Sequence, residues 1–158
     1  MASGGAAQAF AISTNGLYVA GYAVNSSSTP HAVRWDKPSG SWMAPLDLGA
    51  LNGSPTTPSY GYGVNNGGRV VGASLGGATN ASVLRAFRTA AGASNVVSSD
   101  ELLSSFDTNL NLAISLGLDT IVVSNFVSAA TAINSSGAAV GWSDAGVVTW
   151  WDLFGRAR

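Results

Sequence analysis

Three stretches of the chain share one pattern of apolar, polar and glycine positions, and they cover residues 11–21, 63–72 and 132–141. In each, an aliphatic residue is followed four positions later by a glycine, and a short apolar run then ends at a second glycine. A glycine-containing polar turn between two apolar runs predicts a β-hairpin, in which the first glycine supplies a positive φ. The aliphatic residues are Ile12, Val64 and Ile133, the turn glycines are Gly16, Gly68 and Gly137, and the closing glycines are Gly21, Gly72 and Gly141.

The pattern continues beyond the closing glycine. The segments "HAVRW" at 31–35 and "RAFRT" at 85–89 both alternate between apolar and polar residues, which predicts a third strand in each copy. Val33 and Phe87 occupy equivalent places in these segments. A fourth strand ending near Leu48 follows in the first copy.

Each unit therefore has about four short strands, which is the size of a propeller blade. The sequence predicts a single all-β repeat domain, propeller-like, built from short antiparallel strands. Its units cover residues 9–51, 59–103 and 128–154, and "VVTWW" at 147–151 is the predicted third strand of the last unit.

Residues 104–127 separate the second and third units and follow the pattern poorly. The segment "SSDELLSSF" begins like a helix, with Ser98 or Ser99 as the N-cap and acidic residues in the first turn. One short helical insertion is therefore predicted near residues 98–118, and the β-rich run at 120–123 predicts a strand. The alternative is that this part of the chain is a degenerate copy of the repeat.

These motifs resemble the extracellular HAF-type repeats, in which an A-x-A-I-N-x-x-G-x-V-V-G hairpin is followed by H-A-F-x-W and a D-L-G stretch. The first copy has "AFAISTNGLYVAG", "HAVRW" and "LDLGAL", and the third has "TAINSSGAAVGW". The second copy has "VNNGGRVVG" and "AFR", with Arg85 in place of the histidine and Thr89 in place of the tryptophan. The resemblance implies secreted proteins with propeller-like β units and no established chemistry.

The composition narrows the classes of function. Charged residues make up 9% of the chain and the net charge is −1, so the sequence predicts no nucleic-acid partner. No apolar run is long enough for a spanning helix, so no membrane span is predicted. No signal peptide is visible, yet the low charge and the single lysine, Lys37, favour an extracellular or cell-surface location.

The segment "GASLG" at 72–76 has the spelling of a nucleophile elbow in a serine hydrolase. A serine needs a positioned base, and His31 is the only histidine of the chain. The formal catalytic set would be Ser74, His31 and either Asp36 or Asp47. However, the α/β-hydrolase order requires a histidine after the serine, and none follows here. A strand in place of a helix at residues 78–91 would favour the repeat over the elbow.

The sequence offers few other chemical groups. A single histidine and scattered acids give a metal little to hold, so no metal and no cofactor are predicted. The five tryptophans are expected to fill the cores between units, and a stacking platform for sugars is the alternative. They are Trp35, Trp42, Trp142, Trp150 and Trp151.

The predicted function is a secreted, non-catalytic β-repeat module for binding or for surface and extracellular structure. The alternative is a small serine hydrolase of the esterase type that uses Ser74. Because three units do not close a propeller, the sequence predicts self-association or membership of a longer chain. A carbohydrate or a surface polymer is a further expected partner.

Overall fold

The computed structural model describes residues 5–76, 83–97, 100, 102, 120–124, 127–143 and 147–151. The described part is all-β, as predicted, and no α-helix occurs in it. The strands are β1 (Ala7–Ile12), β2 (Tyr18–Val24), β3 (Pro30–Asp36), β4 (Leu46–Gly49), β5 (Ser59–Val64), β6 (Val70–Ser74), β7 (Arg85–Arg88), β8 (Thr120–Ser124), β9 (Ser128–Ile133), β10 (Ala139–Ser143) and β11 (Val147–Trp151).

Nine of these strands form three sheets, one for each repeat unit. The first unit is the four-stranded sheet β1-β2-β3-β4, the second is β5-β6-β7, and the third is the pair β9-β10. All neighbouring strands are antiparallel. Strands β8 and β11 form a separate antiparallel pair. Within the described ranges the sheets form neither a closed barrel nor a closed propeller.

The hairpin turn of each unit has the predicted geometry. The turn glycines Gly16, Gly68 and Gly137 have φ values of 69°, 67° and 90°, so the predicted positive φ is confirmed at all three. In the second unit, the Gly68 N–H donates to the Asn65 carbonyl at 3.0 Å, and the Asn65 N–H donates to the Arg69 carbonyl at 3.1 Å. This is a tight turn whose last position requires the left-handed region, which glycine adopts without strain.

The closing glycine of each unit is required for a different reason, which is close approach of the backbone. The first strand of every hairpin carries a β-bulge with one unpaired residue, which is Phe10, Tyr62 or Thr131. The bulge brings a carbonyl of the first strand onto the closing glycine. A Cβ at Gly21, Gly72 or Gly141 would overlap the carbonyl oxygen of Gln8, Tyr60 or Ala129 respectively.

The units stack through two apolar cores. We call the side of a unit that meets the preceding unit its leading face, and the side that meets the next unit its trailing face. The first core joins the trailing face of the first unit to the leading face of the second, and the other joins the second unit to the third. The first core contains Ala20, Ala32, Leu48, Leu51, Val64, Val70, Phe87 and Val96. The second core contains Val71, Ala86 and Ala130, and Leu102, Ile133 and Ala139 pack against it.

In the segment 78–91, the described residues 83–91 contain a strand and no helix. Strand β7 contains Ala86 and Phe87, as the repeat predicts, where an elbow would require a helix. Phe87 and Val33 are both fully buried, and they pair with the closing glycines Gly72 and Gly21. Strand β6 runs on to Ser74, two residues beyond its predicted end.

The third unit differs from the prediction. Strand β11 pairs with β8, so the expectation that "VVTWW" pairs with β10 as a third strand is wrong. Strand β8 confirms the strand predicted at 120–123, and its β-branched residues make it a competing partner for β11. The helix predicted near residues 98–118 lies outside the described residues, apart from Asp100 and Leu102.

Candidate functional site

Ser74, the candidate nucleophile, is the last residue of β6 and is fully buried. Its hydroxyl donates to the Leu75 carbonyl at 2.6 Å and accepts from the Leu51 N–H at 3.0 Å. Leu51 belongs to the first unit, so this serine joins the second unit to the first. A hydroxyl held in this way serves the junction between the two sheets.

His31, the candidate base, is also buried, with 3% of its surface exposed. Its Nδ1 lies 2.9 Å from Asp47 Oδ1, and the Asn25 amide nitrogen lies 3.2 Å from its Nε2. An amide nitrogen can only donate, so Nε2 accepts and the Nδ1–H donates to Asp47. Asp47 also accepts from the Gly49 N–H at 2.8 Å. The histidine of "HAVRW" therefore fastens β3 to the "LDLG" strand β4.

Asp36, the other candidate acid, belongs to a different ion pair. Its carboxylate receives two parallel hydrogen bonds from Arg34, at 2.7 Å from Nε and 2.9 Å from Nη2. The structure thus brings His31 together with Asp47, and the described hydrogen bonds of His31 include neither Ser74 nor Asp36. The described bonds of Ser74, His31 and Asp36 join strands and units, and among them no catalytic triad is formed.

Arg34 and Arg88 occupy the same position of the repeat, and their role is visible only in the structure. Arg34 Nη1 donates to the Gly68 carbonyl at 2.8 Å, and Arg88 Nη1 donates to the Gly137 carbonyl at 2.8 Å. Each arginine therefore binds the turn glycine of the next unit. The signal was present in "HAVR" and "RAFR", but its meaning depends on which unit lies alongside.

A second link recurs two residues earlier. The Ala32 N–H donates to the Ser59 hydroxyl at 2.8 Å, and the Ala86 N–H donates to the Ser128 hydroxyl at 2.9 Å. Both serines begin the first strand of the following unit and are buried. Each described junction therefore contains an arginine bond and a serine bond at equivalent positions.

Four aromatic rings form a continuous surface across the first two units, which we call the aromatic ledge: Phe10, Tyr22, Tyr60 and Tyr62. Ring centroids lie 5.9 Å apart for Phe10 and Tyr22, 5.4 Å for Phe10 and Tyr62, and 5.5 Å for Tyr22 and Tyr60. Tyr60 and Tyr62 stack at 6.2 Å. Phe10 is exposed and the three tyrosines are half-buried. Burial, and secondarily the neighbouring Tyr60, raise the pKa of Tyr62.

The tryptophans do not all fill cores. Trp42 and Trp142 have 45% and 52% of their surface exposed, so the core prediction is wrong for both. Trp35 is half-buried. The side chains of Trp150 and Trp151 lie outside the described part. The aromatic ledge consists of tyrosines and a phenylalanine, whereas the stacking surface predicted from the sequence named only tryptophans.

No helix in the described ranges is long and apolar enough to cross a membrane. No family model matches the chain, and no curated protein or solved structure does either, so the likeness to HAF-type repeats stays a prediction.

Proposed function

We propose that this chain is an extracellular, non-catalytic β-repeat module of the propeller-like HAF type, which serves binding or surface structure. One observation carries the proposal: the polar residues of the repeat motif are used to join each unit to its neighbour. Arg34 and Arg88 bind the next turn, and Ser59 and Ser128 bind the preceding third strand. The low charge of the chain supports the extracellular location.

The bonds of the candidate triad support the non-catalytic part. A serine nucleophile needs its base within about 3 Å, or one water away. The Ser74 hydroxyl instead forms hydrogen bonds with Leu51 and Leu75. The His31 ring lies within hydrogen-bond distance of Asn25 and Asp47. Freeing Ser74 for attack would break the bond that joins two units.

An ester-hydrolysis assay tests this directly. Wild type and Ser74→Ala should both show only the background rate on para-nitrophenyl esters. Ser128→Ala is the matched control, because it also removes a buried hydroxyl that accepts a backbone N–H across a junction. A wild-type rate above background that Ser74→Ala abolishes and Ser128→Ala keeps would establish the hydrolase instead.

For the binding role, the aromatic ledge supports a neutral carbohydrate or surface polymer as the partner. Tyrosine rings offer a flat apolar face to the C–H side of a sugar ring, and their hydroxyls can bond to its polar edge. Half-buried rings that hold each other in place also lose little entropy when a ligand binds. The tyrosines of the ledge are held in this way by their mutual contacts.

Affinity electrophoresis through gels that contain neutral polysaccharides tests the partner. Wild type should be retarded by at least one of them, and Tyr60→Ala should lose the retardation. Trp42→Ala is the control, because that ring is exposed but lies outside the ledge. Equal retardation of wild type and Tyr60→Ala would exclude the ledge as the binding surface.

A further inference from the structure

The two ends of the stack expose residues whose counterparts are buried at the internal junctions. On the leading face, Ile12 is 61% exposed, while its counterpart Val64 is 7% exposed. On the trailing face, Val140 is 67% exposed, while its counterparts Ala20 and Val71 are completely buried. The strand register fixes these equivalences, because Ile12 pairs with Val19, Val64 with Val70 and Ile133 with Ala139.

Trp142 extends the trailing face. It follows its closing glycine directly, as Tyr22 does in the first unit. The Tyr22 ring packs on Tyr60 of the next unit, with centroids 5.5 Å apart. Trp142 has 52% of its surface exposed at the equivalent place. A large ring thus lies where the repeat uses an aromatic residue to contact the unit that follows.

We propose that a second copy of this chain covers these faces head to tail. The trailing face of the third unit in one copy, with Val140 and Trp142, packs on the leading face of the first unit in the other, with Ile12. Continuity with the internal junctions supports this arrangement, because each end has the face that the other end lacks.

The junction between copies is weaker than the internal ones. Ala7 stands where Ser59 and Ser128 stand in the later units, since it pairs with Ala23 as Ser59 pairs with Ser74 and Ser128 with Ser143. The hydroxyl that accepts the Ala32 or Ala86 N–H is therefore missing at this junction. Contacts between apolar side chains carry the association, which is reversible and depends on concentration.

The contact is heterologous, because two different faces meet. Two copies supply six units, within the roughly four to eight blades that close a propeller. A closed pair therefore satisfies both ends at once. The pairing rests on the stacked geometry, and it holds or fails independently of the proposed binding function.

Directed crosslinking tests the pairing, because the natural chain has no cysteine. Ile12→Cys and Val140→Cys are prepared separately, and a short bismaleimide is added to each variant alone and to their mixture. We expect a crosslinked dimer chiefly in the mixture. Crosslinking of one variant with itself at equal yield would show a symmetric contact and overturn the head-to-tail arrangement.

Sedimentation velocity gives the second readout. Wild type should form a concentration-dependent dimer, and Val140→Asp should remain monomeric with an unchanged unfolding temperature, because Val140 is exposed within one chain. Met43→Asp is the control, since that residue is 58% exposed in the loop between β3 and β4. A wild type that stays monomeric at high concentration would overturn the proposal and leave the faces to further repeats of a longer chain.

Discussion

Arg34 donates a hydrogen bond of 2.8 Å to the carbonyl oxygen of Gly68, so the third strand of one repeat unit binds the hairpin turn of the next. The left-handed backbone at Gly68 shapes the turn whose carbonyl is bound. Arg88 and Gly137 repeat the relationship at the following junction. The turn glycine and the arginine recur at separate places in the sequence, and in the structure they form one contact between neighbouring units.

The two arginines should differ in their contribution to stability. Arg88→Met removes a charge-assisted bond to Gly137 and should lower the free energy of unfolding by about 1.5–3 kcal/mol. Arg34→Met should cost more, because Arg34 also donates to the Ala93 carbonyl and holds Asp36 by two bonds. Urea unfolding of both variants measures the difference. A smaller loss for Arg34→Met than for Arg88→Met would contradict this assignment.

The closing glycine should tolerate no side chain. Gly72→Ala places a Cβ onto the Tyr60 carbonyl and should destabilise the protein by about 3 kcal/mol, the upper end for overpacking. Gly67→Ala is the matched control, because its Cβ would come no closer than 3.4 Å to Asn65 Oδ1. Chemical denaturation of the two variants decides the point. Comparable losses of unfolding free energy in both variants would mean that the bulge does not require a glycine at position 72.

The turn glycines should separate backbone strain from crowding. Gly16→Ala introduces only the strain of a positive φ, since nothing lies within 4 Å of the new Cβ, and should cost about 1–2 kcal/mol. Gly68→Ala should cost more, because its Cβ would also lie 3.1 Å from the Tyr18 ring. Thermal unfolding of the two variants compares them. An equal shift would mean that the Tyr18 ring moves away freely.

Tyr62 should make stability depend on alkaline pH. Its pKa is raised in the folded chain by burial and then by Tyr60, so the unfolded chain loses this proton first. The contribution of Tyr62 to the free energy of unfolding is therefore fully present below about pH 10, the ordinary tyrosine value, and is lost as the pH rises above it. Urea unfolding at about pH 8 and about pH 10.5 should show a smaller loss in Tyr62→Phe than in wild type. Identical losses would remove Tyr62 as a source.

The sequence was sufficient where short-range patterns decide the structure. The positive φ of Gly16, Gly68 and Gly137 and the buried strand around Phe87 follow from turn chemistry and alternation. The role of Arg34 could not be found in this way, because its partner belongs to another unit.

The candidate site shows the same limit. His31 was a candidate base in the sequence, and only the fold shows that its partner is Asp47. The pairing of β11 with β8 also depends on competition between strands that are distant in the chain. The aromatic ledge is assembled from two units, so Tyr22 and Tyr60 gave no joint signal in the sequence.

A crystal structure of the chain would show whether equivalent residues link each unit to the next. We expect the Arg34 Nη1 bond to the Gly68 carbonyl and the Arg88 Nη1 bond to the Gly137 carbonyl, both near 2.8 Å. We also expect the hydroxyls of Ser59 and Ser128 to accept from amides of the preceding unit. Guanidinium groups pointing into solvent, with the third hairpin packed elsewhere, would contradict this expectation.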